Sequence, residues 1–170
     1  MGPIEAKARK YAEHCHSSTN HFYDDQPYTF HLQMVRDAAK RFIHLIPVEY
    51  QDIVLAGCWV HDTIEDTRQT YNDVKSNTTE EVAEIAYALT NEKGKNRAER
   101  ANEKYYIGIK STPFAVFVKL CDRIANIEYS KMKGGKMISL YKKENINFEK
   151  KLYSPLYEEM FAYIKKTLES

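Results

Sequence analysis

The hexapeptide His61-Asp62-Thr63-Ile64-Glu65-Asp66 gathers one imidazole and three carboxylates directly after the apolar run from Ile53 to Val60. On a helix, residues four apart lie over one another, which sets His61 above Glu65 and Asp62 above Asp66. Neutral imidazole and carboxylate are the ligands that borderline and hard divalent metals accept. The acidic pair one turn on is placed to orient a water or move its proton. Three carboxylates on so short a segment repel one another unless a cation, bases or solvent neutralise them. A solvated helix end accounts for the same residues without any chemistry.

Two further segments carry residues of ligand type. His31 belongs to the stripe His31, Val35, Ala38, Phe42, where a histidine serves equally well as a hydrogen-bonded core residue. Asp122 interrupts a helix whose apolar stripe is Phe117, Leu120, Cys121 and Ile124. An aspartate beside that stripe needs a positive partner, either a metal ion or the neighbouring Arg123. Asn126 lies one turn beyond Asp122 and faces the same space.

The elements that must position these groups all read as helix. Ile4–Cys15 is amphipathic, and Ser17–Gln26 reads as a loop. Pro27 suits the entry to the His31 helix, and Pro47 a first-turn position for a helix through Val60 that is long and apolar enough to be buried. Thr78-Thr79-Glu80-Glu81 has a capping-box pattern ahead of Val82, Ile85, Ala86 and Leu89. A charged helix is predicted from about Arg97 to Lys110, another opening at Thr112-Pro113, a basic loop at Gly134-Gly135, and a last helix from Ser154-Pro155 to about Leu168. No alternating strand pattern, repeat or linker interrupts the series. The expectation is one all-α domain over residues 1–170.

Bulk properties narrow the class. With 25 basic and 24 acidic residues the net charge is +1, which gives no footprint for nucleic acid or an anionic membrane. Cys15, Cys58 and Cys121 are isolated, so neither a zinc knuckle nor a disulfide framework is expected. Charges stand in the N-terminal residues where a signal peptide would need an apolar stretch, so none is expected there, and the longest apolar run is far short of a membrane span. A cytoplasmic protein is expected, with thiols reduced.

The order His…His-Asp…Asp, with Glu-Asp three residues after the His-Asp pair, resembles the HD-domain metal-dependent phosphohydrolases. It is similar, more narrowly, to the hydrolase part of the RelA/SpoT group and its MESH1-like stand-alone relatives. Pro27-Tyr28-Thr29-Phe30-His31, His61–Thr67, Leu89-Thr90 followed by Arg97–Arg100, and Lys119–Asn126 carry the resemblance. It spans nearly the whole chain. The resemblance implies a single HD-domain helical bundle, with His31, His61, Asp62 and Asp122 as ligands of Mn2+, Glu65 and Asp66 as the catalytic acidic pair, and Asn126 as a substrate contact. The activity it implies is hydrolysis of the 3′-pyrophosphate of guanosine tetra- or pentaphosphate (ppGpp, pppGpp), giving GDP or GTP and pyrophosphate.

One part of the pattern differs. Where relatives carry Arg and Lys in the loop before Pro-Tyr, this chain has only His21 as a cation, opposed by Asp24 and Asp25, and Glu128 stands where relatives often have Arg. Substrate contacts are then expected from His21, Lys142, Lys143 and Arg97, with Lys95 and Arg100 as neighbours. Two alternatives stay open: an HD phosphohydrolase for another nucleotide, such as an adenosine alarmone or a dinucleotide phosphate, and a catalytically silent nucleotide-binding module.

Overall fold

Every residue from Val54 to Val60 is buried, so the helix carrying them, α3 (Gln51–Val60), is the axis on which the molecule is built. A helix that is apolar all round must be covered on all sides. The cover comes from α1 (Pro3–Ser18), α2 (Thr29–Arg41), α6 (Glu80–Ala88) and α9 (Ala115–Met132). Gly57 permits the approach of α6, because a Cβ there would lie 3.2 Å from two Ile85 carbons. The computed structural model describes all residues, Met1–Ser170. Apart from a hairpin of two-residue strands, β1 (Phe22–Tyr23) and β2 (Gln26–Pro27), the chain is helical. No helix is long and apolar enough to cross a membrane.

The remaining helices are α4 (Thr63–Asp66), α5 (Tyr71–Asn77), α7 (Arg97–Arg100), α8 (Glu103–Ser111), α10 (Ile138–Leu152) and α11 (Glu158–Glu169). Apolar side chains form two cores. The larger joins α2, α3, α9, α10 and α11 around Phe117, Ile124, Phe148 and Ile164, and the smaller joins α1, α3 and α6 around Trp59 and Val82. Ile53 packs against both.

Several boundaries differ from the sequence expectations, each for a local reason. Pro47 leads first into a 3₁₀ turn, Val48–Tyr50, before α3 begins. The charged helix expected over Arg97–Lys110 is two helices, because Asn96 and Asn102 each cap a fresh N-terminus through their side-chain oxygens. Thr79, not Thr78, caps α6, accepting from the Val82 amide, while the Thr78 hydroxyl donates back to the Val74 carbonyl. The reciprocal capping box lies at Thr70 and Asp73, opening α5. Gly134 and Gly135 end α9 with φ of +100° and +75°, but the lysine-rich stretch beyond them is a helix, α10, held by Tyr141, Phe148 and Leu152.

The carboxylate of Asp52, in the first turn of α3, caps α1 from a distance: Oδ2 accepts from the Ile4 amide at 3.0 Å and Oδ1 from the Glu5 amide at 2.9 Å. A negative charge there also complements the positive end of the α1 dipole. Asp52→Ala is expected to lower unfolding stability by about 1–3 kcal/mol, read as a shift in urea midpoint. The effect should be confined to stability, since the Asp52 carboxylate serves only the start of α1.

Candidate metal centre and cleft

The buried run of α3 ends in a two-residue turn, His61-Asp62, before α4 restarts with Asp66 N donating to the Asp62 carbonyl at 2.9 Å. The turn replaces the continuous helix expected through this segment. It points His61 and Asp62 together toward α2 and α9, which bring His31 and Asp122. Among these four residues, ligand-type atoms lie within 4.8 Å of one another. Ligands around 2.0–2.2 Å from one ion stand at most about 4.4 Å apart, so only a small inward adjustment separates the cluster from a coordination sphere.

The hydrogen bonds decide which atoms would bind. His61 Nδ1–H donates to the Cys58 carbonyl at 2.8 Å, which leaves Nε2 as a lone pair. That Nε2 is buried and has no hydrogen-bond partner, although Asp62 Oδ2 is 3.0 Å away and Asp122 Oδ1 3.4 Å away. A lone pair facing two carboxylate oxygens is repulsive unless a cation or a proton lies between them. His31 Nε2 reaches the same Asp122 Oδ1 at 3.0 Å. The donor set of two imidazoles and two carboxylates, converging on one point, fits a divalent cation.

Electrostatics carry the same mark. Burial disfavours a charged His61, but Asp62 and Asp122 raise its pKa well above the usual imidazole value. Burial pushes Asp62 up, and the adjoining His61 more than reverses this, holding it at about 2. The proton and a metal ion thus compete for one site. Glu65 and Asp66 lie on the acidic side of the cluster, with ligand-type atoms within 4.8 Å of those of Asp62. Burial, then the charges of Asp62 and Glu65, lift Asp66 to about 8. A cation at the neighbouring site would pull that value down.

Surrounding residues fix the four. The Tyr28 hydroxyl donates to Asp62 Oδ2, and burial with the Asp62 charge keeps the phenol protonated. Lys119 Nζ pairs with Asp122 Oδ2 at 3.2 Å, and Asn126 Nδ2 donates to Asp122 Oδ1 at 3.2 Å. The counter-charge of Asp122 is therefore Lys119, one turn earlier on α9, and not Arg123. The β1–β2 hairpin contributes Tyr23, whose ring stacks on His31 at 4.5 Å between centroids and whose hydroxyl donates to Asn126 Oδ1 at 2.6 Å. Sequence reasoning gave Tyr23, Tyr28 and Lys119 no role. Tyr28 and Lys119 could have been found inside the motifs that contain them, whereas Tyr23 has no such signal.

The cluster forms the floor of a cleft of about 820 Å³. Glu65, Asp66, Asn126, Arg97 and Lys143 line it together with the four ligand-type residues. Lys142 and His21 do not. Lys142 projects from α10 into solvent, one residue round the helix from Lys143. His21 is stacked on Tyr28 at 3.9 Å, with its Nδ1 3.0 Å from His16 Nδ1, so it backs the site from behind. Glu128 also lies away from the cleft, in a fork with Arg41 at 2.7 and 3.0 Å that ties α9 to α2.

An all-helical bundle that brings His31, His61, Asp62 and Asp122 to the floor of a cleft has the architecture of an HD domain. A solved structure, described as a metazoan orthologue of SpoT that hydrolyses ppGpp and plays a role in starvation responses, matches with a TM-score of 0.70 at 20% identity. The match covers 98% of this chain and 96% of that one, and the two share this fold. The mouse guanosine-3′,5′-bis(diphosphate) 3′-pyrophosphohydrolase MESH1 is 31% identical over 75 residues, which is 44% of this chain and 42% of that protein. The aligned part thus spans less than half the length of that curated relative. No protein-family model matches the chain.

Proposed function

We propose that residues 1–170 act as one HD hydrolase domain that removes the 3′-pyrophosphate of guanosine tetra- or pentaphosphate, with Mn2+ held by His31, His61, Asp62 and Asp122. The observation that carries this reading is the orphaned His61 Nε2 facing two aspartates at the floor of a cleft that also holds arginine and lysine. The relatives named above, which act on that nucleotide, support the substrate. When bound, the ion supplies Lewis acidity toward water and phosphoryl oxygens. The chain's own groups do the rest. Glu65 and Asp66 orient the attacking water and accept its proton. Lys143 and Arg97 neutralise charge that grows on the departing pyrophosphate, and Asn126, held by Tyr23, contacts the nucleotide.

Incubating manganese-loaded protein with ppGpp and measuring pyrophosphate release tests the proposal. Release of pyrophosphate with GDP is the expected result, and an intact nucleotide overturns it. A second reading, an HD phosphohydrolase for another nucleotide, is favoured by one feature. The segment before Pro27 presents Tyr23 to the cleft and no basic side chain. An adenosine alarmone and a dinucleotide phosphate in the same assay separate the two readings.

The structure divides the two adjacent lysines. Lys143→Ala is expected to raise KM on the order of tenfold, the loss of about 1.4 kcal/mol from one charge-assisted phosphate contact. Lys142→Ala should leave KM within about twofold, as an exposed lysine outside the cleft contributes little. Steady-state kinetics at two salt concentrations check this, because the Lys143 contribution should shrink as salt rises.

A further inference from the structure

Five carboxylates line the cleft, and four of them, Asp62, Glu65, Asp66 and Asp122, make up its acidic floor. The fifth, Glu144 on α10, sits instead between two arginines. Arg97 of α7 forms a fork with it, Nε to Oε2 and Nη2 to Oε1, both at 3.0 Å. Arg123 of α9 donates from Nη1 to the same Oε1 at 2.9 Å. All three residues line the cleft. Two guanidinium groups from separate helices thus converge on one point and hold anionic oxygens there.

The three partners are unequally fixed. The Arg123 guanidinium lies 4.4 Å from the Phe148 ring centroid and 5.2 Å from that of Tyr141, and its side chain is only 12% exposed. Stacking keeps this cation in place whatever anion faces it. The Arg97 side chain is 50% exposed and that of Glu144 26%, so their pair is partly solvated and inexpensive to separate. Because α10 itself is anchored by Tyr141, Phe148 and Leu152, any departure of Glu144 is a movement of its side chain and not of the helix.

We propose that Glu144 is a displaceable occupant of an oxyanion site built by Arg97 and Arg123, and that the group which replaces it is a phosphoryl group of a pyrophosphate-bearing ligand. The fork of Arg97 matches phosphate oxygens as well as carboxylate oxygens, and a phosphoryl group carries the greater charge. Glu144 therefore acts as a specificity-determining residue. It offsets one of the two guanidinium charges until an incoming anion outcompetes it. Weakly charged ligands are disfavoured as a result. The nucleotide attached to that phosphoryl group rests on the hydrolase reading above, whereas the displacement itself does not.

The test measures binding without turnover. Inorganic pyrophosphate is titrated calorimetrically into purified, manganese-loaded wild-type protein, Glu144→Gln, Arg97→Gln, and the double variant Arg97→Gln/Glu144→Gln. Glutamine keeps the volume of Glu144 and removes its charge, and melting curves confirm that each protein is folded. Glu144→Gln is expected to bind pyrophosphate about five- to tenfold more tightly than wild type. The double variant should lose the larger part of that gain, which is the share carried by Arg97, and keep only what Arg123 supplies. Unchanged or weaker binding by Glu144→Gln makes the contact a plain structural ion pair and overturns the proposal, as does a gain that survives undiminished in the double variant. Tighter binding by a protein that leaves ppGpp intact would sink the hydrolase reading and keep the site. Hydrolysis of ppGpp with unaltered pyrophosphate affinity in Glu144→Gln would do the reverse.

Discussion

His61→Ala and Asp122→Ala are expected to lose stoichiometric metal, and with it more than about 10³-fold of turnover, because Lewis-acid activation and the neutralisation of phosphoryl charge go together. The structure gives the two substitutions different side effects. Removing His61 deletes the lone pair that faces Asp62 and Asp122, leaving those carboxylates with Tyr28, Lys119, Asn126 and His31 as partners. Such a protein should fold. Removing Asp122 leaves Lys119, whose side chain is 19% exposed, without its carboxylate, a loss on the scale of breaking a partly buried ion pair. Asp122→Asn is therefore the better probe, since it keeps the Lys119 contact through its amide oxygen. Elemental analysis together with melting curves checks both variants. Retention of one ion per folded chain in His61→Ala and Asp122→Asn would show that the ligand set is wrong. Chelation of the wild-type protein should lower its melting temperature, because two facing aspartates lose their counter-charge.

Glu65→Gln and Asp66→Asn should lower turnover by roughly 10²-fold or more while metal content stays unchanged, the size of a general acid–base contribution. Neither carboxylate is needed by the fold. Glu65 Oε1 accepts one backbone hydrogen bond, from the Asn91 amide at 3.2 Å, and an amide side chain can keep it. Asp66 has burial and the charges of Asp62 and Glu65 set against its ionised form, so replacing it by the neutral Asn should stabilise the metal-free protein slightly. The combination of a more stable, metal-loaded and inactive protein distinguishes a group used in chemistry from one used in folding. Near wild-type turnover in both variants would remove them from the mechanism. Selective loss of metal in Asp66→Asn would make that residue a ligand.

The helical class was legible because apolar periodicity reports burial directly: α2, α6 and α9 follow their stripes of Val35, Ile85 and Ile124. The sequence was silent where capping side chains act against that periodicity. Asn102 divides a run that reads as one helix, and Thr70 opens α5 where no stripe announces it. The ligand-type residues were legible because imidazole and carboxylate within apolar surroundings are costly, and cost leaves a mark in sequence. Charge on the cleft wall leaves none. Lys142 and Lys143 are indistinguishable as letters, and only the rotation of α10 sends one into the cleft and the other into water. In the same way nothing in the letters reveals that Arg123 turns from Asp122 to Glu144, since both acids are within reach of a long side chain on α9.

The convergence of distant segments on one point has a consequence for how the chain matures. His31 and Asp122 are 91 residues apart, with His61 and Asp62 between them. During synthesis from the N-terminus, three of the four ligand-type side chains leave the ribosome well before the fourth. Until α9 emerges and packs on α2, the nascent chain offers only two imidazoles and one aspartate, and α11, which covers α9, comes later still. The four side chains thus come together only once α9 has been made, and no fragment ending before Asp122 can assemble them.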